Sequence, residues 1–124
     1  MKYECFEEIP VWQQARQFVK KVYKICNIQD FKNDYDLMNQ IRRASVSIML
    51  NIAEGFERKT NKDFARFINN SKASAGETRC GFYISFDAGY LTEELFDSSL
   101  KDIISISKQL SKFGQYLLES DHKK

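Results

Sequence analysis

Histidine, proline and glycine are scarce in this chain, and each scarcity removes a class of explanation. The one histidine, His122, stands near the C-terminus, so a metal cluster built on imidazole or a histidine-assisted nucleophile has no materials. The Glu-x-x-His elements of a di-metal bundle are missing too, as is the Arg followed closely by His that helical toxin-type ribonucleases use. No catalytic, metal or cofactor residues are therefore assigned. With one proline and five isolated glycines, there is no Gly-rich loop for phosphates and little to support a loop-rich or disordered chain. The three cysteines, Cys5, Cys26 and Cys80, are odd in number and contain no C-x-x-C pair. They predict reduced thiols rather than a disulfide framework or zinc knuckle, with small apolar roles for Cys26 and Cys80 inside helices. Long apolar runs are also missing: the richest stretch, Ala44 to Ala53, contains Ser45, Ser47 and Asn51, which excludes a membrane span. Acidic residues in the N-terminal MKYECFEEIP occupy the place of a signal peptide's basic region, so a cytoplasmic location is expected.

What is present is core material. A hydrophobic fraction of 43% and an aromatic fraction of 14% in 124 residues suffice for one packed core but would starve two, so one domain spanning 1–124 is expected. The net charge of +2, from 19 basic and 17 acidic side chains, is far from the basic excess of a dedicated nucleic-acid binder. Any such role must come from how the charge is distributed.

Periodicity and capping signals predict an all-α, antiparallel up-down-up-down four-helix bundle, with helices over about 10–27, 35–56, 61–88 and 93–119 and a frayed tail at 120–124. Pro10 suits a first helical position, and Ala15, Phe18, Val19, Val22, Tyr23 and Cys26 form the apolar stripe behind it. After a polar connection, Asp34 is the N-cap of the second helix, whose stripe is Leu37, Ile41, Ala44, Ile48 and Ile52. Gly55 reads as its stop signal. Thr60 with Asp63 resembles a capping box; the stripe that follows runs from Phe64 through Phe67, Ile68, Ser71, Ala75, Thr78 and Phe82 to Phe86. Small residues from Ser71 to Gly76 admit a close neighbouring backbone. Thr92, ahead of Glu93 and Glu94, caps the last helix, whose stripe extends from Phe96 to Leu117.

From Gln40 to Gly55 the chain reads Gln-Ile-Arg-Arg-Ala-Ser-Val-Ser-Ile-Met-Leu-Asn-Ile-Ala-Glu-Gly. This resembles the signature of the bacterial four-helix-bundle family S23, whose members are often encoded in intervening sequences within 23S rRNA genes. The similarity extends to Val11-Trp12-Gln13 and Ala15, to Phe64 through Phe67, to Glu77 and to Ala88-Gly89-Tyr90. Met49 stands where the family usually has proline, which implies a straighter second helix; Ala73 stands where it often has glycine. The family is itself similar to the accessory protein of diversity-generating retroelements, a pentameric bundle that binds nucleic acid and its reverse transcriptase. The resemblance therefore implies a homo-oligomer, a pentamer by that analogy, with RNA, DNA or a protein partner as ligand.

Turned at 100° per residue, Arg43, Val46, Leu50 and Glu54 fall opposite Ile41, Ile48 and Ile52 on the second helix. Such an apolar back face belongs either to an oversized core or to a subunit interface. Folding the second and third helices into a hairpin sets Arg43 level with Glu77, and Glu54 level with Arg66, as candidate ion pairs. Glu54 and Glu77 are expected to be partly buried. Arg43 is accordingly read as structural rather than as an RNA contact, and Asn51 as satisfying polar groups of its own helix.

Charge divides along the bundle. Asp30, Asp34, Asp36, Asp87, Glu93, Glu94 and Asp97 collect at one end; Arg16, Lys20, Lys24, Arg42, Arg58, Lys59, Lys62 and Arg66 occupy the waist and the other end. These eight cations are the candidate nucleic-acid contacts, against the alternative that they form ordinary solvated faces. Two functions remain open: a non-catalytic, nucleic-acid-associated oligomer, with RNA the favoured ligand, and a protein-interaction scaffold that nucleic acid does not touch.

Overall fold

Each long helix starts where a local signal satisfies its first free N–H groups. A computed structural model describes residues 3–122, which form four α-helices and no strand among the described residues: α1 Pro10–Cys26, α2 Tyr35–Phe56, α3 Asn61–Asp87 and α4 Glu93–His122. Pro10 opens α1, where its missing N–H costs nothing. The Leu37 N–H donates to Asp34 Oδ1 at 3.2 Å, the Asp63 N–H to Thr60 Oγ1 at 3.1 Å, and the Leu95 N–H to Thr92 Oγ1 at 3.2 Å. These three caps begin α2, α3 and α4. At its other end α3 stops at Gly89, whose φ of +83° lies in the left-handed region that glycine enters without penalty.

Cross-helix contacts run antiparallel throughout. Between α2 and α3, Gly55 faces Phe64, the Ser71 hydroxyl donates to the Ile48 carbonyl at 2.6 Å, and Gly81 lies against Ile41. Phe86 stacks on Phe96 near the start of α4, and Phe64 meets Phe113 edge-on near its end. Lys21 Nζ bonds Asp102 at 2.8 Å, joining α1 to α4. The α2–α3 and α3–α4 interfaces are the most extensive, and that of α1 with α4 is the smallest. In the centre, Ile48, Ile52, Phe82 and Leu110 are fully buried, each contributing about 1.5–3 kcal/mol over an exposed position.

Several expectations need correction. The tail predicted at 120–124 is helical through His122, because nothing after Gly114 breaks the helix; the His122 side chain and residues 123 and 124 lie outside the described residues. Gly55 does not stop α2. It is buried inside the last turn, where the absent Cβ lets Phe64 and Phe67 approach, and Glu57 takes the C-cap in an ordinary right-handed conformation. The polar connection 28–34 also hides a core residue. Phe31, in a single 3-10 turn (Phe31–Asn33), is completely buried and stacks on Tyr90, whose hydroxyl donates to Asp34 Oδ2 at 3.0 Å. Cys80, expected to be a small apolar residue within the packing, is exposed.

Candidate nucleic-acid interface

Residues four apart on a helix stand in line one turn above another, so Arg16, Lys20 and Lys24 make a cationic row along α1. In the structure this row and the side chains of Val19, Tyr23 and Met49 border a shallow, open groove of about 590 Å³ at the α1–α2 seam. No carboxylate lines it. Arg42 of α2 is not part of its lining but rests on the groove's tyrosine: its guanidinium carbon sits 4.6 Å from the Tyr23 ring centroid, within the range of cation–π attraction. At the lower end of the row, Arg16 lies 5.9 Å from the Trp12 ring.

Tyr23 was expected in the core stripe of α1. Instead it is 43% exposed, because the buried face of α1 is the narrow stripe through Val11, Ala15, Phe18, Val22 and Ile25 and Tyr23 falls at its edge. The sequence signal for this position was its place between Lys20 and Lys24, on the cationic side of the helix.

The other four candidate cations lie at the α2–α3 turn and form a separate group. Arg58 pairs with Glu54 at 3.0 Å and Arg66 with Asp63 at 3.1 Å, while both guanidiniums rest on the Phe67 ring at 4.5 and 4.6 Å. Lys59 and Lys62 are exposed beside them. The expected pair of Glu54 with Arg66 does not form, since each finds a partner only three or four residues away in sequence, Arg58 just past the end of α2 and Asp63 within α3, at lower entropic cost. Glu54 and Glu77 are exposed rather than partly buried, having been placed on outward positions of α2 and α3.

A second groove, of about 650 Å³, lies between α2 and α3 and is lined by Arg43, Val46, Ser47, Leu50, Ser74 and Glu77 among others. Arg43 and Glu77 share it, but the ion pairs among the described residues do not include them. Its floor is polar and self-satisfied: Ser74 bonds Ser47 at 3.0 Å, and the Asn51 amide donates to the Ser47 carbonyl at 2.9 Å and hydroxyl at 3.0 Å. Asn51 thus satisfies its own helix, as expected. Leu50 is 62% exposed and Val46 half-buried, so Leu50 lies outside the core packing of the described residues.

The thiols differ sharply. Burial pushes Cys26 up to about 11, the nearby Arg42 charge only partly opposing it, so this thiol stays protonated near neutrality. Iodoacetamide at about pH 8 should therefore label Cys80 well before Cys26 in the folded protein, as peptide mass spectrometry would show; equal labelling of the two would contradict the packing of Cys26. At the acidic end the hydrogen bond to Asp34 raises the Tyr90 phenol above its ordinary range, with desolvation adding to it. Among the described residues no group of three or more His, Cys, Asp or Glu could hold a metal ion, and no helix is long and apolar enough to cross a membrane.

The sequence model of the family described as 23S rRNA-intervening sequence protein matches residues 7–112. The chain belongs to that family. Its fold is also similar to a crystal structure from Bacteroides thetaiotaomicron VPI-5482, a protein with unknown function from the S23 ribosomal protein family. The two chains are 25% identical, with a TM-score of 0.74 over 81% of this chain and 94% of that one. No curated protein matches. The signature read from Gln40 to Gly55 therefore occupies α2 of a 23S rRNA-intervening sequence protein, where it supplies both the buried stripe and the exposed back face. Met49, in place of the proline expected from the family pattern, lies within an α2 that runs unbroken from Tyr35 to Phe56.

Proposed function

We propose that this protein is a non-catalytic, cytoplasmic homo-oligomer that associates with RNA through the α1–α2 groove. The observation that carries the reading is the groove itself, in which three cations one turn apart line a cleft with no carboxylate while the acidic residues gather at the bundle end. A net charge of only +2 gives one protomer a weak field, and closed symmetry would repeat the cationic row around a ring. Leu50 and Val46 on the uncovered back face of α2 would form the contact between protomers, and resemblance to the retroelement accessory protein makes five the expected number. The family's description, which places these proteins in 23S rRNA intervening sequences, makes RNA the ligand to test before DNA.

The second reading is a scaffold for a protein partner, such as a reverse transcriptase, without nucleic-acid contact. It is favoured by the exposed apolar side chains Leu50 and Ile84 on α2 and α3. Charge reversal separates the two. Changing Lys20, Lys24 and Arg42 together to Glu should weaken RNA binding, measured by fluorescence anisotropy, by tenfold or more and lower the slope of log affinity against log salt by about two. Neutralising Glu93, Glu94 and Asp97 at the acidic end should leave affinity unchanged or slightly raised. Circular dichroism must show intact helices in both variants. An equal response to both sets would mean a diffuse field without a site, and absence of wild-type binding at low salt would favour the scaffold.

A further inference from the structure

Tyr23 stands between the two grooves and lines both, whereas Arg42 lines only the one toward α3. Arg42 lies over the ring at 4.6 Å, and the same tyrosine borders the cationic groove. A surface that reads duplex phosphates alone needs cations but no apolar floor, because a duplex keeps its base faces inside the stack. Here the floor is Val19, Tyr23 and Met49, apolar surface that a phosphate cannot cover. An unpaired base can, since it presents a bare π-face joined to a charged backbone. The charge complementarity favours the same occupant, with Arg16, Lys20 and Lys24 in a row beside the apolar floor.

We infer that the α1–α2 groove takes single-stranded RNA, one unpaired base stacking on the Tyr23 ring while Arg16, Lys20 and Lys24 hold the flanking phosphates. This rests on the RNA reading above and sharpens it. Arg42 acts as a positioning residue: its charge against the ring fixes the plane on which the base lands and adds to the attraction.

The probe is a short uridine-rich RNA carrying one 2-aminopurine, used beside a duplex that contains the same strand. Binding of the single strand to the wild type should quench the 2-aminopurine, and the single strand should be preferred over the duplex by roughly tenfold. Tyr23→Leu should abolish the quench and lose roughly tenfold in single-strand affinity, and Tyr23→Phe should retain both. Tyr35→Leu, at an exposed tyrosine of the acidic end, should behave as wild type, with helix content checked for every variant. Equal affinity for single strand and duplex, unaltered by Tyr23→Leu, would overturn the stacking inference and leave the cationic groove as a phosphate surface. If neither form binds at low salt, the RNA reading fails and the inference fails with it.

Discussion

Gly55→Ala should lower the melting temperature by roughly 6–10 °C, and Gly76→Ala, on the same fold, should raise it by roughly 3 °C. Alanine in a helix gains about 1 kcal/mol over glycine at either site. At Gly76 nothing lies within 4 Å of the added Cβ, so the gain stands alone. At Gly55 the new carbon would meet Phe64 Cδ1 at 2.7 Å and Phe67 Cβ at 2.8 Å. Phe67 Cβ is tied to its backbone and cannot rotate away. The two helices must therefore separate, which places the cost near the upper end for overpacking, about 3 kcal/mol, and the net loss near 2 kcal/mol. Thermal unfolding followed at 222 nm reads both variants. A Gly55→Ala protein as stable as the wild type would mean that the α2–α3 turn yields more readily than so close an approach implies.

If protomers associate through the back face of α2, as proposed above, Leu50→Glu should leave only monomers, with the helix content and melting behaviour of the protomer nearly intact. The side chain is 62% exposed, so the protomer loses little core on substitution. In an interface, the same change buries an unpaired carboxylate at every repeat of the ring, at a cost of several kcal/mol per contact. Multi-angle light scattering at concentrations on the order of tens of micromolar distinguishes the states. A wild type that is strictly monomeric there would end the interface reading, and with it the argument that symmetry multiplies a weak cationic surface.

The helices were legible in the sequence because their signals are local. Pro10, Asp34, Thr60 and Thr92 each act within one turn, and the stripes of α2, α3 and α4 follow a single period. What was hidden depended on which helix lies beside which. Phe31 sat among polar residues and gave no periodic signal, yet the two loops at the acidic end close over it. Tyr23 matched the period of α1 but lies at the edge of its buried face, with Arg42 of α2 over the ring. Gly55 looked like punctuation and proved to be a point of contact. For the candidate interface, spacing alone picked out Arg16, Lys20 and Lys24 as a row. That the row borders a groove with Tyr23 and Met49 follows from the way α1 packs on α2, which a single helix cannot encode. Arg58 and Arg66 were found as charges, but their local partners Glu54 and Asp63 were overlooked in favour of a pair of Glu54 with Arg66 across the hairpin.

The unequal interfaces within the bundle set the order in which it can come apart. Helices α2, α3 and α4 share the broad contacts, whereas α1 is held to α4 by a small one in which Lys21 and Asp102 form the ion pair. The first helix is thus the element whose detachment costs least, and the remaining three can keep most of their mutual packing when it leaves. The cationic groove lies at the other seam of α1, with its charges on α1 and Met49 on α2. A ligand held there would tie α1 to α2 and oppose that detachment, so that its affinity and the local stability of α1 would be two readings of one equilibrium.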